Sequence, residues 1–192
     1  MDKDMIVKLD IEAMCPSITY ELVAEAVRYY AEGFSEEETA RVEAGLDMLK
    51  FSMSNCLINF REKYLQYGKE RDPLKRVLTI GGYDSAWLAD LTACYILERA
   101  EPVWSEQFEY FKIYRDDGCG LARNTTVKKL CKWYDIFQQE VDRITGGIIK
   151  FTLEISKLRD EKERKANDVI KVLGGNSTPY LDADLFSMKK EN

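Results

Sequence analysis

The stretch Phe111-Lys112-Ile113-Tyr114-Arg115-Asp116-Asp117-Gly118-Cys119-Gly120 decides how the chain is read, because it carries two adjacent carboxylates into a turn. Asp-Gly is a strong signal for a two-residue hairpin turn, whose central positions both require positive φ. Apolar residues flank it, Ile113 and Tyr114 before and Leu121 after. The expected local structure is a buried hairpin with Asp116 and Asp117 at its tip. A carboxylate in a turn usually only closes it, whereas a pair on a rigid hairpin can ligate a divalent cation. The remainder of the chain has to decide between the two.

With 192 residues, 45% hydrophobic and 32% charged, the chain has the composition of a folded globular protein. Its apolar runs are far shorter than a membrane span, and Met1-Asp2-Lys3-Asp4 leads into no signal sequence. An intracellular protein is expected, nuclear or cytoplasmic, with no membrane partner. Cys15, Cys56, Cys94, Cys119 and Cys131 are odd in number and too widely spaced for a zinc knuckle or a redox pair, so they read as reduced thiols. The absence of histidine removes Ser-His-Asp and Cys-His catalysis and His-ligated zinc. Catalysis here must use carboxylates, lysines, hydroxyls or metal. The net charge of -6 argues against a stand-alone nucleic-acid binder.

Met5 to Leu9 reads as a central strand delivering Asp10 at its end, with Pro16 breaking any regular structure at Cys15. A helix is predicted from Thr19, with Leu22, Val23, Ala26, Val27 and Tyr30 at helical spacing and Gly33 closing it. Ser35 and Glu38 form a capping box for a second helix, whose face Val42, Leu46 and Leu49 continues toward Met53. Leu57 to Tyr67 alternates as one strand or a short hairpin, and Lys69 to Lys75 is a charged loop. Val77 to Ile80 enters Gly81-Gly82, after which Ser85 caps a buried helix over 86–100. The glycines either turn the chain or seat a nucleotide against backbone amides. Beyond the hairpin, Thr125 or Thr126 opens an amphipathic helix ended by Gly146-Gly147, and Ile148 to Ile155 returns as a strand. Trp133 and Tyr134 read as core. Residues 157–171 form a charged connector, Leu173-Gly174-Gly175 is turn chemistry, and Thr178 to Phe186 is a last strand within a terminal segment, 173–192.

This order predicts an α+β fold, a split βαβ (ferredoxin-like) antiparallel sheet with helices packed on one face. The Asp10 strand and the hairpin then lie side by side, and three carboxylates converge at one rim. Like charges so close raise one another's pKa unless a basic residue or divalent metal neutralises them. Two Mg²⁺ ions roughly 4 Å apart are usual occupants of such a site.

Lys8-Leu9-Asp10-Ile11-Glu12-Ala13-Met14-Cys15-Pro16-Ser17-Ile18 resembles the first aspartate motif of reverse transcriptases. Gly81-Gly82-Tyr83-Asp84-Ser85-Ala86-Trp87-Leu88-Ala89-Asp90 is similar to the family's Gly-x-x-x-Ser-Pro-x-x-Ala-Asp element, and Tyr114-Arg115-Asp116-Asp117 to its Tyr-x-Asp-Asp box. Residues 149–154 and 179–182 resemble later sheet strands of retroelement enzymes, particularly Penelope-like ones. The resemblance implies a polymerase palm spanning 1–192 as a single domain, with fingers and thumb absent. It implies RNA-directed DNA synthesis by a nucleotidyltransferase that is incomplete as this chain alone. Its partners are a template-primer, nucleoside triphosphates and the missing segments or a partner chain. By the same resemblance Asp10, Asp116 and Asp117 are catalytic and, with the Ile11 carbonyl, ligate two Mg²⁺ ions, Mn²⁺ being the alternative. Cys15, Gly81, Gly82 and Ser85 lie at the template and nucleotide; Leu173, Gly174 and Gly175 position the primer; Lys150 is the candidate general acid.

Two departures stand out. Cys15 occupies the place of the aromatic residue that excludes the ribose 2'-hydroxyl, and Ala86 replaces the common proline. The alternatives are an inactive or co-opted palm acting as an interaction domain, and another palm-fold enzyme such as a nucleotide cyclase. An acidic palm without cationic fingers and thumb is expected to bind duplex weakly at physiological salt, which a fluorescence titration checks.

Overall fold

After the apolar run Met5-Ile6-Val7, apolar and polar residues alternate to Ile11, and that pattern builds the first strand. The computed structural model describes residues 3–66, 72–80, 82–157, 164–165, 170–174, 177–180 and 183–186. In chain order the elements are β1 (Lys3–Ile11), α1 (Met14–Ser17), α2 (Tyr20–Tyr30), α3 (Glu36–Ser54), β2 (Leu57–Phe60), β3 (Lys63–Gln66) and a 3-10 turn (Pro73–Lys75). Then come α4 (Ser85–Arg99), α5 (Glu101–Trp104), β4 (Tyr110–Tyr114), β5 (Asp117–Thr125), α6 (Val127–Thr145) and β6 (Phe151–Lys157). The described chain closes with β7 (Arg164–Lys165), β8 (Ile170–Gly174), β9 (Ser177–Tyr180) and β10 (Ala183–Phe186). No described helix is long and apolar enough to cross a membrane.

The chain divides into two compact units, one of residues 1–12 and 98–192, the other of residues 13–97. In the first, the described strands form a sheet of order β4-β5-β1-β6-β8-β7. Neighbours among β4, β5, β1 and β6 are antiparallel, whereas β8 runs parallel to β6. The fold is α+β, as expected, with a four-stranded antiparallel core. Met5, Val7, Leu9 and Ile11 are buried on one face of β1, together with Ala122 of β5 and Phe151, Leu153 and Ile155 of β6. That face meets α6, whose Leu130, Trp133, Tyr134, Phe137, Val141 and Ile144 repeat at helical spacing and are buried. Trp133 and Tyr134 are core residues. The Phe108 ring meets Trp133 edge-on at 4.8 Å, and Phe137 meets Phe151 at 5.1 Å. Thr126 is the N-cap, accepting from the Lys129 N–H at 3.2 Å, and Gly146 at φ 65 ends the helix.

The hairpin differs from its sequence reading. Tyr114 pairs with Asp117 and Ile113 with Gly118, so Arg115 and Asp116 make the turn, Arg115 taking φ 55. Asp117 and Gly118 lie inside β5. Glycine is needed there for close approach rather than for a turn: a Cβ on Gly118 would stand 3.3 Å from Leu9 Cβ and from Phe111 Cζ. A Cβ on Gly120 would lie 2.8 Å from Phe108 Cδ1.

In the second unit Thr19 caps α2, accepting from the Leu22 N–H, and Ser35 and Glu38 form the expected capping box. Tyr20, Ala24 and Leu46 make a small core with Val27, Val42, Leu49 and Met53 packed around it. A bidentate Arg28–Glu43 pair at 2.7 Å joins α2 to α3. Residues 57–66 are a hairpin, turned by Arg61 and Glu62 at φ 49 and φ 64. Pro16 does not break the chain; it sits inside the single turn of α1, where a proline loses little because an opening turn has unpaired N–H groups. Ser85 is the first helical residue rather than the cap: the Asp84 carbonyl accepts the first helical bond, from Leu88.

Toward the C-terminus, the stretch read as a connector contains β7 and the start of β8, because Ile170 and Val172 pair alongside Leu153 and Ile155. Leu173 and Gly174 end β8 instead of turning, while Gly175 lies outside the described residues. The single strand expected over 178–186 is a hairpin, β9 with β10.

Gly120→Ala is expected to cost about 1–3 kcal/mol through overpacking against Phe108. Gly45→Ala, in open space on α3, should instead stabilise by roughly 0.5–1 kcal/mol. Urea denaturation of the two variants checks this pair of opposite signs.

Candidate active site

The acids meet because of strand register. Asp10 of β1 lies opposite Asp117 of β5 on one side and opposite Thr152 of β6 on the other. Tyr114 of β4 extends this row beyond Asp117. One step back lies a second row, Lys112, Cys119, Lys8 and Glu154. Both rows face away from the buried Leu9 side, since alternate residues of a strand point oppositely. Asp116 belongs to the turn beside them, and its carbonyl accepts the Ile11 N–H at 3.0 Å. The tip of the hairpin is thereby tied to the end of β1.

Electrostatics follow from this placement. The Asp10 carboxyl is pushed above its ordinary pKa, first by burial and then by the like charges of Asp116 and Asp117, with Lys8 opposing. Lys8 Nζ forms an ion pair with Asp117 Oδ1 at 2.9 Å, and both side chains are 21% exposed. The Lys8 ammonium is held protonated above its usual range, chiefly by that hydrogen bond. Burial raises the neighbouring Cys119 thiol, which Lys8 partly offsets. Among the described residues, no three His, Cys, Asp or Glu side chains form a ready-made metal-binding group. In donor chemistry the set still suits a hard divalent cation: carboxylates beside a backbone carbonyl, with a repulsion around Asp10 that such a charge relieves.

The other candidates are distributed as follows. Lys150 donates to both oxygens of Asp142 at 2.8 Å, so its ammonium is engaged with α6. Its carbonyl accepts from the Glu12 N–H at 2.9 Å, next to the end of β1. Cys15 and Ser85 belong to the second unit, the former half-buried in α1 and the latter buried at the start of α4. Gly82 is there too, its N–H donating to the Thr79 carbonyl and its carbonyl accepting from Ser85. A Cβ on Gly82 would overlap the Thr79 and Ser85 hydroxyls, so close packing within the turn itself requires the glycine. Gly81 lies outside the described residues. Lys8 is the participant that sequence reading passed over; its signal was its position two residues before Asp10, on the same strand face.

No protein-family model matches the chain, and no curated protein matches it.

An acid whose pKa is raised by folding contributes stability below its unfolded pKa and loses it as pH rises through the folded value. Ionised Asp10 is therefore a cost to the fold at neutral pH. Asp10→Asn is expected to melt a few degrees higher than the wild type at pH 7. The gap should close as pH falls through the carboxylate range, which calorimetry at stepped pH checks.

Proposed function

We propose that this chain is the palm of a reverse-transcriptase-like polymerase, extending a primer 3'-hydroxyl along a template by magnesium-dependent nucleotidyl transfer. The observation that carries the reading is the register that sets Asp10 opposite Asp117 while Ile11 bonds to the Asp116 carbonyl. One acid near the start of the chain and two adjacent acids more than a hundred residues later thus share one end of a sheet. The strand order β4-β5-β1-β6, all antiparallel, agrees with the split βαβ core that a palm requires and supports the same reading.

Asp10 and Asp116 would hold the two ions, with the Ile11 carbonyl a further donor and Asp117 secondary. Bound Mg²⁺ supplies a lowered pKa at the attacking hydroxyl and positive charge for the leaving pyrophosphate. The chain's own contribution is positional: β1 and the β4–β5 hairpin keep the carboxylates fixed, so little reorganisation is needed when charge develops. Lys150, paired with Asp142, would have to leave that partner to act as a general acid.

A second reading, a co-opted palm that folds and binds a partner without catalysis, is favoured by one specific contact. The Lys8 ammonium already supplies a positive charge at Asp117. Primer extension with Mg²⁺ or Mn²⁺ separates the two. The polymerase reading expects incorporation that falls on the order of a hundredfold or more in Asp116→Ala. Incorporation unaffected by Asp116→Ala, or no incorporation even with fingers and thumb segments restored, overturns it in favour of the second reading.

A further inference from the structure

We infer that Lys8 is a displaceable counter-ion, holding Asp117 until a divalent cation arrives and then turning to Glu154; this rests on the reading of Asp10, Asp116 and Asp117 as a metal site. Lys8 stands between two carboxylates on the open face of the sheet. Its Nζ is 2.9 Å from Asp117 Oδ1, diagonally across the β1–β5 pair. Directly opposite on β6 is Glu154, whose charge also acts on Lys8. Residues facing each other across antiparallel strands have Cβ atoms only about 4.5–5.5 Å apart, well within the reach of a four-carbon stem. A pivot between the two acids thus needs side-chain rotation and no backbone movement.

The residue type suits exchange. An ammonium is a point charge on a flexible stem and can trade one carboxylate for another, whereas a guanidinium grips a carboxylate through two parallel bonds. At 21% exposure for each partner, the pair is largely shielded from bulk water, and the Asp117 oxygen that Lys8 holds is itself buried, so a cation has to displace the ammonium to reach it. Lysine and metal therefore compete for Asp117, and Glu154 eases the competition by accepting the displaced ammonium. Lys8 is a positioning residue that acts through Asp117. Lys8 and Glu154 should have separable effects: removing Lys8 tightens cation binding, and removing Glu154 weakens it.

The experiment is a titration of the whole chain with Mn²⁺ alone, read by the paramagnetic resonance of the free ion. Wild type, Lys8→Met, Glu154→Gln and the double variant are compared. Lys8→Met is expected to bind Mn²⁺ about fivefold tighter, the loss of one modest ion pair. Glu154→Gln should bind about two- to threefold weaker, and that weakening should shrink when Lys8 is also replaced. A simple long-range field from Glu154 would leave its effect undiminished without Lys8, and that result overturns the inference, as does equal or weaker binding by Lys8→Met. Should Lys8→Met fail to fold, Lys8→Arg replaces it, with weaker Mn²⁺ binding expected and unchanged binding overturning the proposal. Binding by none of the proteins overturns the metal site itself, which distinguishes that failure from a failure of the lysine exchange.

Discussion

The register between β1 and β5 is the constraint on which the candidate site depends. Leu9 faces Gly118 and Asp10 faces Asp117 because Met5, Val7, Leu9 and Ile11 are all buried on one side of the strand. A slip of one residue would send Asp10 toward α6 and Leu9 toward the acids. Burying four such side chains is worth roughly 1.5–3 kcal/mol each. Repulsion between partly solvated carboxylates is on the order of a few kcal/mol. Hydrophobic burial therefore wins, and it holds together acids that would separate if free to do so.

The far side of β1 is secured by a different device. The Phe151 N–H donates to Gln138 Oε1 at 3.0 Å, and its carbonyl accepts the Tyr134 hydroxyl at 2.5 Å. Two side chains of α6 thus satisfy both polar groups of the residue that lies opposite Ile11. Gln138 also donates to the Ile149 carbonyl, and Lys150 pairs with Asp142 one turn further along the helix. Burial and nearby acids raise the Tyr134 hydroxyl to a pKa of about 12, so it stays a proton donor across the physiological range. The start of β6 is fixed to the helix, and the site end of β1 is fixed to β6. Such support from packed elements keeps a carboxylate constellation in place better than a loop does.

Charge is distributed unevenly over the acids. Asp117 carries the ion pair to Lys8, while Asp10 bears the repulsion of both hairpin acids. An acidic cluster in which Lys8 pairs with one of the acids is neither a fully compensated salt-bridge network nor a bare cage. Asp10 therefore feels the field of both hairpin acids, while the charge of Asp117 is offset by Lys8.

Local patterns in the sequence were enough to determine much of the scaffold. The period of two in β1, the capping box at Ser35, the apolar stripe of α6 and the Gly146 stop are readable because each depends on residues within one or two turns. The pairing of the Asp10 strand with the acidic hairpin was also legible, from the order of elements and from motif resemblance. Tertiary packing alone decided the rest. Asp117-Gly118 looks like a turn, yet the rings of Phe108 and Phe111 and the side chain of Leu9 need small residues on β5 and draw the glycine into the strand. The β8 strand arises from parallel pairing with β6, and β7 from pairing with β8 in turn, choices that charge density in 157–171 conceals. Lys8 and Asp117, more than a hundred residues apart in sequence, become partners only through a diagonal across two strands. Local propensity records what a residue prefers, whereas the neighbour it meets is set by register, and register is fixed by the burial of the opposite face.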